Sequence, residues 1–422
     1  MDGALTRGQS SALAGVRSMI ARGAPHAVLF VGPPSAGKTT LALDLAAGLL
    51  CAAPEPSDRP CRECRGCRLV ASGNHPDLHR LRPGGAGNQI KLEATTLDPR
   101  PGVKNLVGEL SLMPVEGGAR VAIVEGAHRM NEDAQNALLK TLEEPPAGVV
   151  IVLCADDEDR LLPTIRSRCQ RIRLGTVATR DIEAWLTERG VADAPAAARF
   201  ARLAGGRPGL AFAYASSPEA GAVRAELDRT LLDLVASRAS IRLAAVKKLL
   251  TRAGALVTAL DLDPAPVSEP RTPVRRGRKG SPSAASAAVA AVPPPAVSTP
   301  VSLPANTGAD DEGEAAAGDV DGTATSKKAS PAERRRAAML LVDVWRDLAL
   351  DLRRAELGEV RRLHDPTLLE EIVATARRLI PGSMASFLPA LDRASRAIDG
   401  NASPELALDV LILAWPRAAL VA

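Results

Sequence analysis

The sequence predicts an α/β domain, a parallel sheet with helices on both faces, followed by a remainder that is wholly helical. Three observations predict it. Short apolar runs alternate with helical segments through residues 1–175. From about Thr176 only helical periodicity remains. Aromatic residues are just 2% of the 422, so the cores are built from Leu, Val, Ile and Ala, which suits helices.

The elements follow in order. Residues 27–31 (Ala-Val-Leu-Phe-Val) form a short, partly β-branched apolar run that stops at Gly32 and read as a buried parallel strand. Residues 39–50, rich in Ala and Leu, read as a helix. Further strands are expected at 121–124, 149–153 and 172–174. Between them a helix at 131–144 is terminated by Pro145 and Pro146. Short helices follow at 181–188 and 194–203. Gly205-Gly206-Arg207-Pro208-Gly209 reads as a break, residues 210–214 open another helix, and long Ala/Leu/Arg helices fill 221–260.

Residues 264–332 differ sharply: they hold Pro293-Pro294-Pro295, a single leucine (Leu303), no isoleucine and no aromatic residue. Such a stretch buries too little apolar surface to offset its ordering entropy, so it is expected to be a disordered insertion. Its front is basic (Arg271, Arg275, Arg276, Arg278, Lys279) and its rear acidic (Asp310, Asp311, Glu312, Glu314). Helical periodicity returns from Ala332, and no internal repeat is found.

Composition sets outer limits. Hydrophobic residues at 46% and charged residues at 24% are ordinary for a globular protein. The net charge of +4 is compatible with touching nucleic acid without demanding it. Scarce aromatics argue against binding single strands by base stacking. No apolar run is long enough for a transmembrane helix, and residues 1–10 lack the order of a signal peptide, so a cytoplasmic protein with no membrane partner is expected. Its six cysteines then call for reduced thiols or a metal.

Gly32-Pro33-Pro34-Ser35-Ala36-Gly37-Lys38-Thr39 matches G-x-x-x-x-G-K-[ST] between a strand and a helix, with Thr40 beside it. Backbone N–H groups of such a loop and the helix start cradle phosphate oxygens. Lys38 supplies charge near the β- and γ-phosphates, and the Thr39 hydroxyl reaches a magnesium ion. The expected ligand is ATP with Mg²⁺. Glu125, at the end of the strand 121–124, is placed to hold the magnesium shell. The next residue, Gly126, cannot activate water, and His128 reads as a surface or packing histidine. Nucleotide binding is therefore expected with hydrolysis weak or absent.

Cys51, Cys61, Cys64 and Cys67 form C-x9-C-x2-C-x2-C. Four thiolates so close suit tetrahedral, structural Zn²⁺. Nearby Arg59, Arg62, Arg65 and Arg68 offset their charge. Iron–sulfur is the rival, disfavoured by the long first gap and the missing proline after the last cysteine. Cys154 and Cys169 read as buried packing residues.

With these motifs in place, the sequence resembles the AAA+ clamp-loader family of bacterial DNA polymerase III, the delta-prime and gamma/tau group. Four features carry the resemblance: the phosphate loop, the cysteine knuckle directly after its helix, residues 136–146 (Asn-Ala-Leu-Leu-Lys-Thr-Leu-Glu-Glu-Pro-Pro), and Ser167-Arg168-Cys169. It is strong over residues 1–215 and architectural beyond. The resemblance implies an AAA+ nucleotide-binding domain at 1–175 with the knuckle at 51–67. It further implies a helical lid at 176–220 and an all-α collar at 221–422, interrupted by 264–332. It also implies that Arg168 is an arginine finger, completing an ATP site on a neighbouring subunit.

Three departures point away from a motor subunit of the gamma/tau kind. Gly126 replaces the second acid. The Gly-Gly-Arg-Pro-Gly stretch puts Pro208 where motors carry a sensor arginine, although a shift of one residue would restore Arg207. Cys154-Ala155-Asp156-Asp157 lacks the Thr or Asn that senses γ-phosphate. The expectation is a delta-prime-type subunit of the polymerase III clamp loader with no polymerase site of its own. Its partners would be gamma/tau and delta subunits and, through the complex, the sliding clamp and primer–template DNA. A gamma/tau-type ATPase motor is the first alternative. The second is a nucleic-acid-binding scaffold with a vestigial loop, contacting DNA through Arg271–Lys279, a run that otherwise reads as solvated charge.

Overall fold

The computed structural model describes residues 4–84, 88–94, 100–116, 118–260 and 329–418. Five strands, β1 (Ala27–Val31), β2 (Leu78–Leu81), β3 (Arg120–Val124), β4 (Val149–Ala155) and β5 (Gln170–Arg173), form one sheet in the order β2-β3-β4-β1-β5. Every pairing is parallel. β1 sits between β4 and β5, with Ala27 opposite Ile151 and Val28 opposite Gln170.

Alternation along β1 feeds two cores. Val28 and Phe30 pack with Val16 of α1 (Ser10–Arg22) and with Leu41 and Leu45 of α2 (Lys38–Leu49). Ala27 and Leu29 face the other way, onto Leu106 and Leu110 of α4 (Val103–Leu110) and Leu138 and Leu142 of α5 (Glu132–Glu143). A strand covered on both faces is apolar throughout, which is why β1, β3 and β4 were legible as runs. The two outer strands were harder. β5 begins at Gln170, two residues before the expected start, because Gln170, Arg171 and Arg173 are exposed at the sheet edge. β2, Leu-His-Arg-Leu, was not anticipated, since only its end residues are buried.

Past Gly175 the regular structure of the described residues is helical: α7 (Thr179–Glu188), α8 (Ala194–Leu203), α9 (Pro208–Ser216), α10 (Pro218–Asp233), α11 (Ala239–Leu260), α12 (Pro331–Glu356), α13 (Leu369–Ala376), α14 (Ser383–Asp399) and α15 (Pro404–Ala414). One apolar core runs from Val177 to Trp415 and passes residue 220 without interruption. At its centre Trp345 and Trp415 meet edge to face at 5.5 Å, and Phe387 meets Trp415 at 4.9 Å. These offset geometries favour the ring quadrupoles. Trp415 also donates its indole N–H to the Leu231 carbonyl at 3.0 Å, so its polar handle is satisfied.

Two expectations need correction. The break at 205–209 is shorter than read: Gly205 and Gly206 take left-handed angles after α8, but Pro208 and Gly209 are already the first turn of α9. Proline at a first helical position forfeits no hydrogen bond, so it opens this helix. The insertion expected at 264–332 falls, up to residue 328, outside the described residues, and so do both of its charge runs. At its far end, however, α12 starts at Pro331. The Ser330 hydroxyl accepts from the Glu333 N–H at 3.2 Å, and the Glu333 carboxylate accepts from the Ser330 N–H at 2.7 Å. This capping box, Ser-Pro-Ala-Glu, is a helix start signal legible in the sequence.

Candidate functional sites

The phosphate loop leaves the C-terminal end of β1, an interior strand beside the edge strand β5, and runs into α2. Gly37 takes φ 100°, which only a residue without Cβ adopts freely, and Ser35 is also left-handed at φ 60°. Lys38 is buried, and its ammonium reaches the carbonyls of Gly32 (2.8 Å) and Pro33 (2.6 Å) and a carboxylate oxygen of Asp156 (2.6 Å). Asp156 is the first residue after β4. Thr39 and Thr40 follow half-buried in the first turn of α2.

The acids are arranged differently from expectation. Glu125 follows β3, as read from sequence, but its carboxylate is bridged by Arg80 of β2 (2.9 and 2.5 Å) and by Arg82 (2.9 Å). Asp156, not Glu125, is the acid that meets Lys38. His128 is buried rather than superficial, and its Nδ1 accepts the Asp156 N–H at 3.1 Å. Burial pushes the imidazole down to about 4, with the Asp156 carboxylate opposing that shift. The ring is thus neutral, as an accepting Nδ1 requires.

From the other side the loop is held by α9. The Gly209 N–H donates to the Ser35 carbonyl at 3.0 Å, and a Cβ on Gly209 would come within 3.1 Å of that oxygen. The neighbouring Arg207 turns away, to the Ala204 carbonyl (2.8 Å) and to Asp347 of α12 (3.7 Å). Asp347 is shared with the buried Arg224, which also binds Asp228 at 2.9 Å. The reading of a displaced sensor arginine therefore has a counterpart: Arg207 is committed to the helical body.

The cysteine knuckle follows α2. Cys51 comes just after the helix, and Cys64 caps α3 (Arg65–Ala71), within which Cys67 is buried. All four sulfur atoms lie within 4.8 Å of one another, with Cys51 to Cys61 at 3.5 Å and Cys51 to Cys64 at 3.9 Å. Zinc bonded to four thiolates tetrahedrally separates its sulfurs by about 3.8 Å, so the cluster fits a single ion. Backbone N–H groups of Cys61, Cys64 and Cys67 point at the sulfurs of Cys51, Cys61 and Cys64 (3.4–3.5 Å). Burial raises the Cys51 and Cys67 thiols. Burial works the same way on Cys64, but hydrogen bonds from the Ala52 and Cys67 backbone and from neighbouring thiols outweigh it and bring Cys64 down to about 6. Asp44 of α2, not singled out from sequence, ties the region together. It accepts from the N–H groups of Leu5 (3.0 Å) and Thr6 (2.9 Å) and pairs with Arg62 of the knuckle.

Arg168 ends α6 (Pro163–Arg168), immediately ahead of Cys169 and β5. Its guanidinium is about one-third exposed, pairs with Glu143 at the end of α5 (2.6 Å) and donates to the Thr164 carbonyl (2.9 Å). Gln135, buried on α5, fixes the segment leading to α6. It accepts the Leu162 N–H at 2.8 Å and donates to the carbonyls of Met130 (3.1 Å) and Arg160 (3.2 Å). Arg168 therefore lies partly exposed at the surface where α5 and α6 meet, held by Glu143 and the Thr164 carbonyl.

A sheet of this order, a phosphate loop after the interior strand β1, a four-thiol knuckle and a surface arginine ahead of the edge strand occur together here. Residues 8–178 match a family model described as DNA polymerase III, delta subunit. Residues 8–178 are thus similar to the delta' proteins of DNA polymerase III. The chain is 39% identical over 185 residues to the DNA polymerase III subunit delta' of Pseudomonas aeruginosa, covering 43% of this chain and 53% of that protein. It is 35% identical over 188 residues to that of Escherichia coli, covering 44% and 54%. A tau/gamma subunit from Haemophilus influenzae is 36% identical over 149 residues, covering 35% of this chain and 20% of its own. The match spans about half the length of the delta' relatives, and the matched residues coincide with the sheet and both candidate centres. Among the described residues no helix is long and apolar enough to cross a membrane.

Proposed function

We propose that the chain serves as the delta-prime subunit of a DNA polymerase III clamp loader, contributing Arg168 to a nucleotide site on an adjacent gamma/tau subunit. The observation that carries the reading is the position of Arg168 on the surface platform of α5 and α6, within a segment of delta-prime type. A planar, permanently charged guanidinium at a subunit boundary stabilises charge on a γ-phosphate held by the neighbour. Delta and gamma/tau subunits are the proposed direct partners, with the sliding clamp and primer–template DNA reached through the complex. The division into an AAA+ domain at 1–175, a lid at 176–220 and a collar at 221–422 belongs to the same reading.

The chain's own chemistry is proposed to be subordinate. Glu125 is engaged by two arginines and followed by Gly126, so the acid at the end of β3 is not free to activate water. ATP with Mg²⁺ is the proposed ligand of Gly32–Thr40, and hydrolysis there is weak. Cys51, Cys61, Cys64 and Cys67 would hold one structural zinc ion. A single centre suits sulfurs this close better than a cluster, whose thiolates ligate different irons. The deciding experiment assembles Arg168→Ala protein with wild-type gamma/tau and delta subunits and measures DNA-stimulated ATP turnover. A loss of about 10³-fold is expected for a missing arginine finger, and unchanged turnover rules the assignment out. One observation favours a gamma/tau-type motor instead, the complete G-x-x-x-x-G-K-T loop. Steady hydrolysis by the isolated chain would decide for that alternative.

A further inference from the structure

The phosphate loop already holds an anion from its own chain. An ammonium has three donors, and those of Lys38 are matched by the Gly32 carbonyl, the Pro33 carbonyl and the Asp156 carboxylate, at 2.8, 2.6 and 2.6 Å. The carboxylate is itself fixed in place. The Asp156 N–H donates to His128 Nδ1 at 3.1 Å, and the second carboxylate oxygen lies 3.7 Å from His128 Nε2. The lysine is buried while the aspartate is about one-third exposed, so the pair is shielded on the lysine side and reachable from solvent on the other. Across the loop, the Gly209 N–H holds the Ser35 carbonyl and fixes the backbone in the shape that lets Lys38 fold back.

We infer that Asp156 is the resident counter-anion of the phosphate loop and sets how weakly this chain takes a nucleoside triphosphate. The polyphosphate and the Asp156 carboxylate compete for the same ammonium. Charge-assisted hydrogen bonds of this kind are the strong ones, and the incoming ligand must replace one before it gains its own. A residue following a buried strand thereby decides whether a complete G-x-x-x-x-G-K-T loop behaves as a nucleotide site. The inference concerns this chain alone and does not depend on what Arg168 does in a neighbour.

The experiment is calorimetric titration of the full chain with ATP and magnesium. Asp156→Asn, which keeps the shape and removes the charge, is expected to bind about tenfold more tightly than wild type, equivalent to losing one competing charged contact. Asp156→Ala should gain similarly, and adding Lys38→Ala to either should abolish the gain. No gain in either variant, or a gain that survives without Lys38, overturns the inference. Hydrogen exchange on the unsubstituted protein gives an independent arm. Saturating ATP should speed exchange at the Asp156 amide as the carboxylate is displaced, and an unchanged amide counts against the inference. Thermal melts of each variant establish that the fold is retained.

Discussion

A buried histidine beside an acid carries a cost that appears on acidification. In the folded chain His128 titrates near 4 because burial penalises the imidazolium, whereas an unfolded histidine titrates near 6.5. Below 6.5 the unfolded chain takes up a proton that the folded chain refuses, so stability is full above that pH and falls as pH drops towards 4. The loss amounts to about 3 kcal/mol over that window. Denaturant titrations at pH 7 and pH 4.5 measure it, and in His128→Gln the pH-dependent difference should shrink by most of that amount. An equal difference in both proteins would show that His128 is not the source. Asp156 belongs to the same scale. The sequence shows only that a threonine or asparagine is missing there. That its carboxylate turns to Lys38 depends on how β4 and β1 lie side by side, which no local pattern encodes.

The cysteine knuckle is the element where spacing said most. Four thiols in one short stretch predict a tetrahedral centre, and the structure gathers all four sulfurs within 4.8 Å of one another, close enough for one metal ion to be held. Between Cys51 and Cys67 the regular structure is limited to one three-residue helical turn and the start of α3, so the proposed zinc ion would supply order that a core does not. One zinc per chain by elemental analysis is expected. Cys64→Ser should lower the zinc content below half, and protease should then cut between residues 51 and 67 at least tenfold faster. Full zinc with unchanged cleavage would remove the metal reading. The α5–α6 platform was legible only in part. The helix before Pro145-Pro146 was plain, but Gln135 as its staple was not, because a buried glutamine on an amphipathic helix looks like any polar residue until its three partners are known.

At the scale of the whole molecule, the apolar interior falls into the two faces of the sheet and one long helical core. The central strands could be read because burial on both faces leaves an unbroken apolar run. The edge strands could not, because exposure lets polar residues in. The helical body was legible as helices but not as a packing arrangement, since periodicity gives a face and not its partner. α11 and α12 lie together, with Gly254 against Ala337, although residues 261–328 separate them in sequence. A connection between two packed helices is a site where length changes cost little, each doubling adding about 0.6 kcal/mol if the connection is flexible. Replacing 261–328 by a short Gly/Ser linker should therefore leave the melting temperature within about 3 °C of the parent. A fall beyond 10 °C would mean that the segment contributes to the fold.

The ring contact between Trp345 and Trp415 bears on the order of synthesis. Every strand of the sheet has been synthesised once Arg173 is made, so that body can close when this residue clears the exit tunnel, while translation of the remainder continues. The helical body has no such early option. Its central aromatic pair joins residues far apart in the chain, and α11 must wait for α12 and α15 before its buried face is covered. During elongation the nascent chain thus passes through an interval in which one half is finished and the other still shows bare leucine-rich helices, the stage at which a chaperone would have most to hold.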